Sequence, residues 1–201
     1  MSLQTLIRAL LLWALGPGWF LSAGAGALRP VDDPELAVGQ WRTHLPLNKV
    51  SCVEKVGTRV YAGCTGGIFV FDTEDGSLER ITRVNGLNDV EVAVLSYSQA
   101  YQTLIVGYAN GNLDLYRNGQ WVALDAVLKA NLPVGKKIRS IYQAGRFAYL
   151  CYGFGMVELD LAKTEIRSTF IIGPGGRYLG VNALVAQDSF WYAATDSGLY
   201  R

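Results

Sequence analysis

From residue 50 onward, apolar residues come in short β-rich runs broken by glycine, without the 3.6-residue stripe of an amphipathic helix. The first stretch divides into four predicted strands, A at 50–55, B at 59–64, C at 67–72 and D at 78–82. Gly57-Thr58 and Asp75-Gly76 supply the turn residues between them. In strand C, Ile68-Phe-Val-Phe71 is apolar at consecutive positions. That pattern belongs to a sheet covered on both faces rather than half exposed to water.

The same wording returns three times. Units begin near residues 50, 92, 138 and 181, and a glycine expected to open strand C falls at Gly67, Gly111, Gly155 and Gly198. The intervals are 44, 44 and 43 residues, the period of a four-stranded propeller blade. The predicted fold is all-β, a β-propeller of four-stranded antiparallel blades, with about three and a half blades present over 38–201. Residues 125–132, before Pro133, read either as one or two helical turns or as a long loop. Gly39-Gln-Trp-Arg-Thr43 echoes Gly119-Gln-Trp-Val-Ala123 and reads as an orphan strand D. The fourth unit holds A, B and the start of C. The reading favoured is an incomplete propeller, ahead of a four-bladed ring closed by the orphan strand.

Ahead of the repeats, residues 1–27 carry Arg8, an apolar run and the small-residue ending Ala25-Gly-Ala27. These are the parts of a secretory signal, with cleavage expected after Ala27 or Ala25. Gly16-Pro17-Gly18 interrupts the run, which argues against a spanning helix. Residues 28–37 are then a short linker. The expected location is outside the cytoplasm: periplasm, outer membrane or cell surface.

Composition narrows the function. The 201 residues carry 18 basic and 17 acidic side chains, and the surplus is Arg8, so the expected mature chain is neutral. A neutral chain lacks the footprint of a nucleic-acid binder. Lys136, Lys137 and Arg139 form a small basic cluster, read as a solvated edge. The one histidine, His44, makes no zinc site by itself. Gly173-Pro-Gly-Gly176 lacks the Lys-Ser/Thr of a phosphate loop and reads as a connection leaving strand D of the third blade. No catalytic, metal or cofactor-binding residues are assigned, and no cofactor is expected. Cys52 and Cys64 lie on neighbouring strands, but a two-residue turn at 57–58 sets Cys52 opposite position 63 and aims the sulfurs at opposite faces. With Cys151, they read as small buried residues between blades.

Trp41-Arg-Thr-His-Leu-Pro-Leu-Asn-Lys-Val50, Thr65-Gly-Gly-Ile-Phe-Val-Phe-Asp72 and Val84-Asn-Gly-Leu-Asn-Asp-Val90 together resemble the N-terminal propeller of the PorZ family of type IX secretion proteins. The resemblance implies a surface subunit of the complex that attaches secreted cargo to the cell. It also implies partners in that complex and binding of anionic lipopolysaccharide. Members carry two large propellers and a C-terminal secretion-signal domain, whereas this chain stops within the first propeller. Two other classes compete: the periplasmic sensor propeller of a two-component regulator, and a propeller enzyme such as a lyase or glycosidase. The sensor would continue into a transmembrane helix, and the enzyme would need paired carboxylates or a metal on its axial face.

Overall fold

The computed structural model describes residues 49–201. The signal, the linker, the orphan strand at 39–43 and His44 lie outside the described residues. Four antiparallel sheets follow one another along the chain, each a simple meander. The first is β1 (Val50–Val56), β2 (Arg59–Cys64), β3 (Gly67–Asp72) and β4 (Leu78–Ile81). The second is β5 (Val92–Ser98), β6 (Thr103–Tyr108), β7 (Leu113–Arg117) and β8 (Gln120–Leu124). The third is β9 (Ser140–Ala144), β10 (Phe147–Tyr152), β11 (Gly155–Asp160) and β12 (Glu165–Phe170). The fourth, among the described residues, has β13 (Val181–Gln187), β14 (Phe190–Thr195) and β15 (Gly198–Tyr200). This is the predicted propeller architecture, three full blades and part of a fourth.

The segment that the pattern left open contains one helical turn, α1 (Ala126–Lys129), followed by irregular chain to β9. Gly173-Pro-Gly-Gly176 is a 3₁₀ turn after β12, at Pro174–Gly176, and so a connection.

One feature of the repeat differs from the expected glycine period. Cys64 pairs with Gly67, Tyr152 with Gly155 and Thr195 with Gly198, so the turn between strands B and C holds two residues. In the second blade Gly107 pairs with Leu113, and the turn is one residue longer. Gly111 therefore sits inside the turn and Asn112 takes the place that glycine has elsewhere. The three register glycines have φ of +149°, +143° and +122°. A Cβ at Gly67 would lie 2.3 Å from the Ile81 carbonyl oxygen, so strand D also passes too close for a side chain.

Packing explains the doubly apolar strands. One buried cluster joins Tyr61, Ile68 and Val70 of the first blade to Val92, Leu95 and Val106 of the second. Another joins Ile105, Leu113 and Leu115 to Ala148, Leu150 and Val157 of the third blade. A smaller one joins Cys151 to Val181, Leu184 and Ala193 of the fourth. Each blade thus presents one face forward and one back, and the core is divided among the junctions.

Candidate functional site

Strand A of the first, second and fourth blades carries a β-bulge near its start, between Val50 and Cys52, Val92 and Val94, and Val181 and Ala183. Arg139 holds the matching place in the third blade, its N–H donating to the Cys151 carbonyl at 2.8 Å. In the first and third blades the residue at this place reaches the next blade. Ser51 Oγ donates to the Val92 carbonyl at 2.8 Å. The Arg139 guanidinium reaches Asn182 Oδ1 at 2.8 Å and Asp196 Oδ1 at 2.6 Å. That guanidinium, aided by Asn182, holds the Asp196 carboxyl below its ordinary range.

Further along strand A, Glu54 Oε1 accepts from the Tyr97 N–H at 3.0 Å, and Ser96 Oγ accepts from Gln143 Nε2 at 2.7 Å. Polar groups of the inner strands thus tie one blade to the next. The basic cluster read as a solvated edge is exposed at Lys137 and Arg139, and two of its cations also make contacts within the fold. Lys136 Nζ donates to the Leu128 carbonyl at 2.7 Å and Arg139 is a latch between blades, while Lys137 is exposed. Sequence spacing puts the three cations together, but the fold gives two of them internal acceptors.

The run from Val84 to Val90 forms the connection from the first blade to the second. Asn85 Oδ1 accepts from the Thr82 N–H at 2.6 Å, and Asn85 Nδ2 donates to the Arg80 carbonyl at 2.7 Å, which closes the turn. Leu87 is buried in the junction core. The Asn88 N–H donates to Asp114 Oδ2 at 2.7 Å, Tyr108 OH donates to the same oxygen, and Asn110 Nδ2 donates to Asp89. Burial raises the Asp114 carboxyl above its ordinary range, against the pull of those donors. A Cβ at Gly86 would lie 2.4 Å from Trp121 Nε1, so the turn lies flat on strand D of the second blade. The motif is a clasp between blades.

The third blade repeats the tyrosine but not its partner. Leu150 pairs with Val157 where Val106 pairs with Asp114, so Val157 stands in the aspartate's place. Tyr152 OH is consequently buried with no hydrogen-bond partner, its ring stacked on Phe154 at 4.8 Å.

Two clefts flank the third blade. A polar one of about 240 Å³ is lined by Arg146, Phe147, Asp160, Lys163, Glu165 and Arg167. Its charges are matched in pairs: Arg146 with Asp160 at 2.6 Å, Lys163 with Glu165 at 3.4 Å and Arg167 with Glu158 at 3.4 Å. The Arg146 fork holds Asp160 down to about 2. An apolar cleft of about 220 Å³ lies between the third and fourth blades, lined by Tyr149, Met156, Phe170, Ile172, Leu184 and Trp191. Trp191 leans on Tyr149 at 4.6 Å and meets Tyr142 edge-on at 5.7 Å.

All three cysteines are free thiols. Cys52 pairs with Gly63 rather than Cys64, so the sulfurs lie on opposite faces, as the two-residue turn requires. Among the described residues no group of three or more His, Cys, Asp or Glu side chains is placed to hold a metal ion. Among them, too, no helix is long and apolar enough to cross a membrane.

Comparison with known proteins places this geometry. The profile of the type IX secretion PorZ N-terminal β-propeller domain matches residues 60–201. The solved structure of PorZ from Porphyromonas gingivalis, described as an essential surface component of the type IX secretion system, superposes with a TM-score of 0.70. Identity is 24%, over 79% of this chain and 21% of that one, so the chain spans about a fifth of that protein's length. The computationally designed Ika4 protein gives a TM-score of 0.58 at 15% identity, over 77% of this chain and 92% of its own. The extracellular domain of a B. thetaiotaomicron protein assigned to the hybrid two-component systems gives 0.56 at 19% identity, over 83% and 21%. No curated protein matches the chain by sequence. The family profile covers most of the chain and runs through all four blades, and the chain belongs to the PorZ N-terminal β-propeller family of the type IX secretion system.

Proposed function

We propose that the chain is a binding and scaffolding propeller that works outside the cytoplasm, in the complex that attaches type IX cargo to the cell surface. The observation that carries this reading is the family match over residues 60–201. The side-chain chemistry agrees with it. The charged and polar groups of the inner strands and clefts are engaged with one another, between blades and within them, as in a rigid support. Binding partners in this reading are other proteins of the attachment complex and anionic lipopolysaccharide, and the protein turns over no substrate. The sensor alternative rests on likeness of fold to extracellular domains at 19% identity and has no separate support here.

The test is an in-frame deletion of the gene in its own bacterium. Secreted cargo should pass from the cell surface into the medium, with export across the inner membrane unchanged. Cargo that stays attached in the deletion strain would refute the proposal.

A further inference from the structure

Strand C ends, in the first and third blades, on an aspartate that an arginine holds. Asp72 stands opposite Arg59 in the register and lies 3.6 Å from its Nε. Asp160 stands opposite Phe147 and takes Arg146 at 2.6 Å. The second blade inverts the charge. Leu104 pairs with Tyr116, so the next step along the ladder sets Thr103 opposite Arg117. Arg117 Nε donates to Thr103 Oγ1 at 2.6 Å, and Nη2 donates to the Leu161 carbonyl of the third blade. Both acceptors are neutral, and the ring of Tyr101 lies 5.8 Å away.

Among the described residues no carboxylate answers this half-buried cation. Residues 98–103 and 117–122, the turns that frame it in its own blade, contain no Asp or Glu. On the third blade, Asp160 and Glu165 are held by Arg146 and Lys163. A partly desolvated charge without a counter-ion is costly, and here the planar guanidinium has spent only one edge. Nη1 and the second N–H of Nη2 form a free fork of the kind that takes an oxyanion through two parallel hydrogen bonds.

Arg117 lines a cleft of about 150 Å³ between the second blade and the turn after β11, with Thr103, Asn118, Gln120, Val122 and Thr164. Both blades that form it have all four strands among the described residues. The volume is that of a cavity known to take one six-membered ring. Its lining is polar amide and hydroxyl, with Val122 as an exposed apolar wall.

We propose that this cleft is a binding site for the carboxylate of a sugar acid of hexuronate size. The carboxylate takes the free fork of Arg117. The ring hydroxyls meet Asn118, Gln120 and Thr164, and a C–H face of the ring rests on Val122. The site stands on its own geometry, so its failure would leave the surface-attachment reading untouched.

The test is a titration of the purified, ¹⁵N-labelled chain with glucuronate through the millimolar range. The Arg117 Nε–H signal, assigned by its loss in Arg117→Gln, and the amide signals of Asn118 and Gln120 should shift together and saturate. Glucose, which lacks the carboxylate, and inorganic phosphate, which lacks the ring, serve as controls and should bind at least about tenfold more weakly. Gln120 is exposed and pairs with Arg117 across the hairpin, so Gln120→Glu should fold and set a carboxylate of the chain's own against the fork. That variant should lose about tenfold or more in glucuronate affinity, with its circular dichroism unchanged. The proposal is overturned by an Arg117 signal that glucuronate does not move, by glucose or phosphate binding as strongly as glucuronate, or by a folded Gln120→Glu that binds like the parent.

Discussion

Val92, at the start of the second blade, lies over Gly63 in the first so closely that a Cβ there would come within 2.6 Å of its Cγ1. The same Cβ would meet Cys52 Sγ at 2.6 Å. The glycine is required by the neighbouring blade, not by its own backbone, which does not enter the left-handed region. Gly107 stands in the same relation to Ile138 and Val94, at 2.6 and 2.8 Å. Gly107→Ala should therefore destabilise the fold by about 1–3 kcal/mol, the cost of overpacking a filled junction. Gly135→Ala, where a Cβ meets nothing within 4 Å, should change stability by no more than about 0.5 kcal/mol. Urea unfolding of the two variants checks the difference. Equal midpoints would contradict it.

The two tyrosines of the second and third blades should respond in opposite directions to loss of the hydroxyl. Tyr108 OH serves Asp114, so Tyr108→Phe removes a donor from a buried carboxylate and should cost about 1 kcal/mol or more. Tyr152 OH is buried without a partner, so Tyr152→Phe should stabilise by about 1 kcal/mol. Thermal melts of both variants give the signs directly.

Asp114 also makes a pH signature. Its folded value is raised by burial, so on acidification from neutral pH the native state takes up the proton before the unfolded chain does. Its contribution to stability is largest below the unfolded value of about 4 and falls as pH rises through the folded value. Asp114→Asn keeps an oxygen for Asn88 N–H and Tyr108 OH but cannot titrate. The variant should lack the gain in stability that the parent shows on acidification through this window.

Asp160 runs the other way. Arg146 draws its folded value down to about 2, so its contribution is present above about 4 and is lost as pH falls through about 2. Arg146→Ala should flatten the acid limb of the stability curve between those values. An unchanged limb would remove the pair from the account.

Much of this fold is written in the chain. Strands B and C of the first blade fall at 59–64 and 67–72, where the alternation of apolar runs and glycine places them, because turns and doubly apolar strands are local signals. The extra turn residue before Asn112 was not legible, because Gly111 keeps the numerical period while the register shifts beneath it. The latch made by Arg139 was equally hidden. Its acceptors, Asn182 and Asp196, are far away in sequence and reach it only through stacking of the third and fourth blades. The Val84–Val90 run was legible as a family mark, but its work as a clasp depends on Asp114 and Trp121 in the next blade.

The proposed function, a propeller that binds anionic glycolipid at the cell surface, is tested most directly by vesicle co-sedimentation. The purified chain is mixed with phosphatidylcholine vesicles that either contain or lack anionic lipopolysaccharide. The account predicts that the chain sediments with the lipopolysaccharide vesicles and stays in the supernatant with the others, its circular dichroism unchanged. Equal recovery in the supernatant with both, from a folded chain, would contradict it.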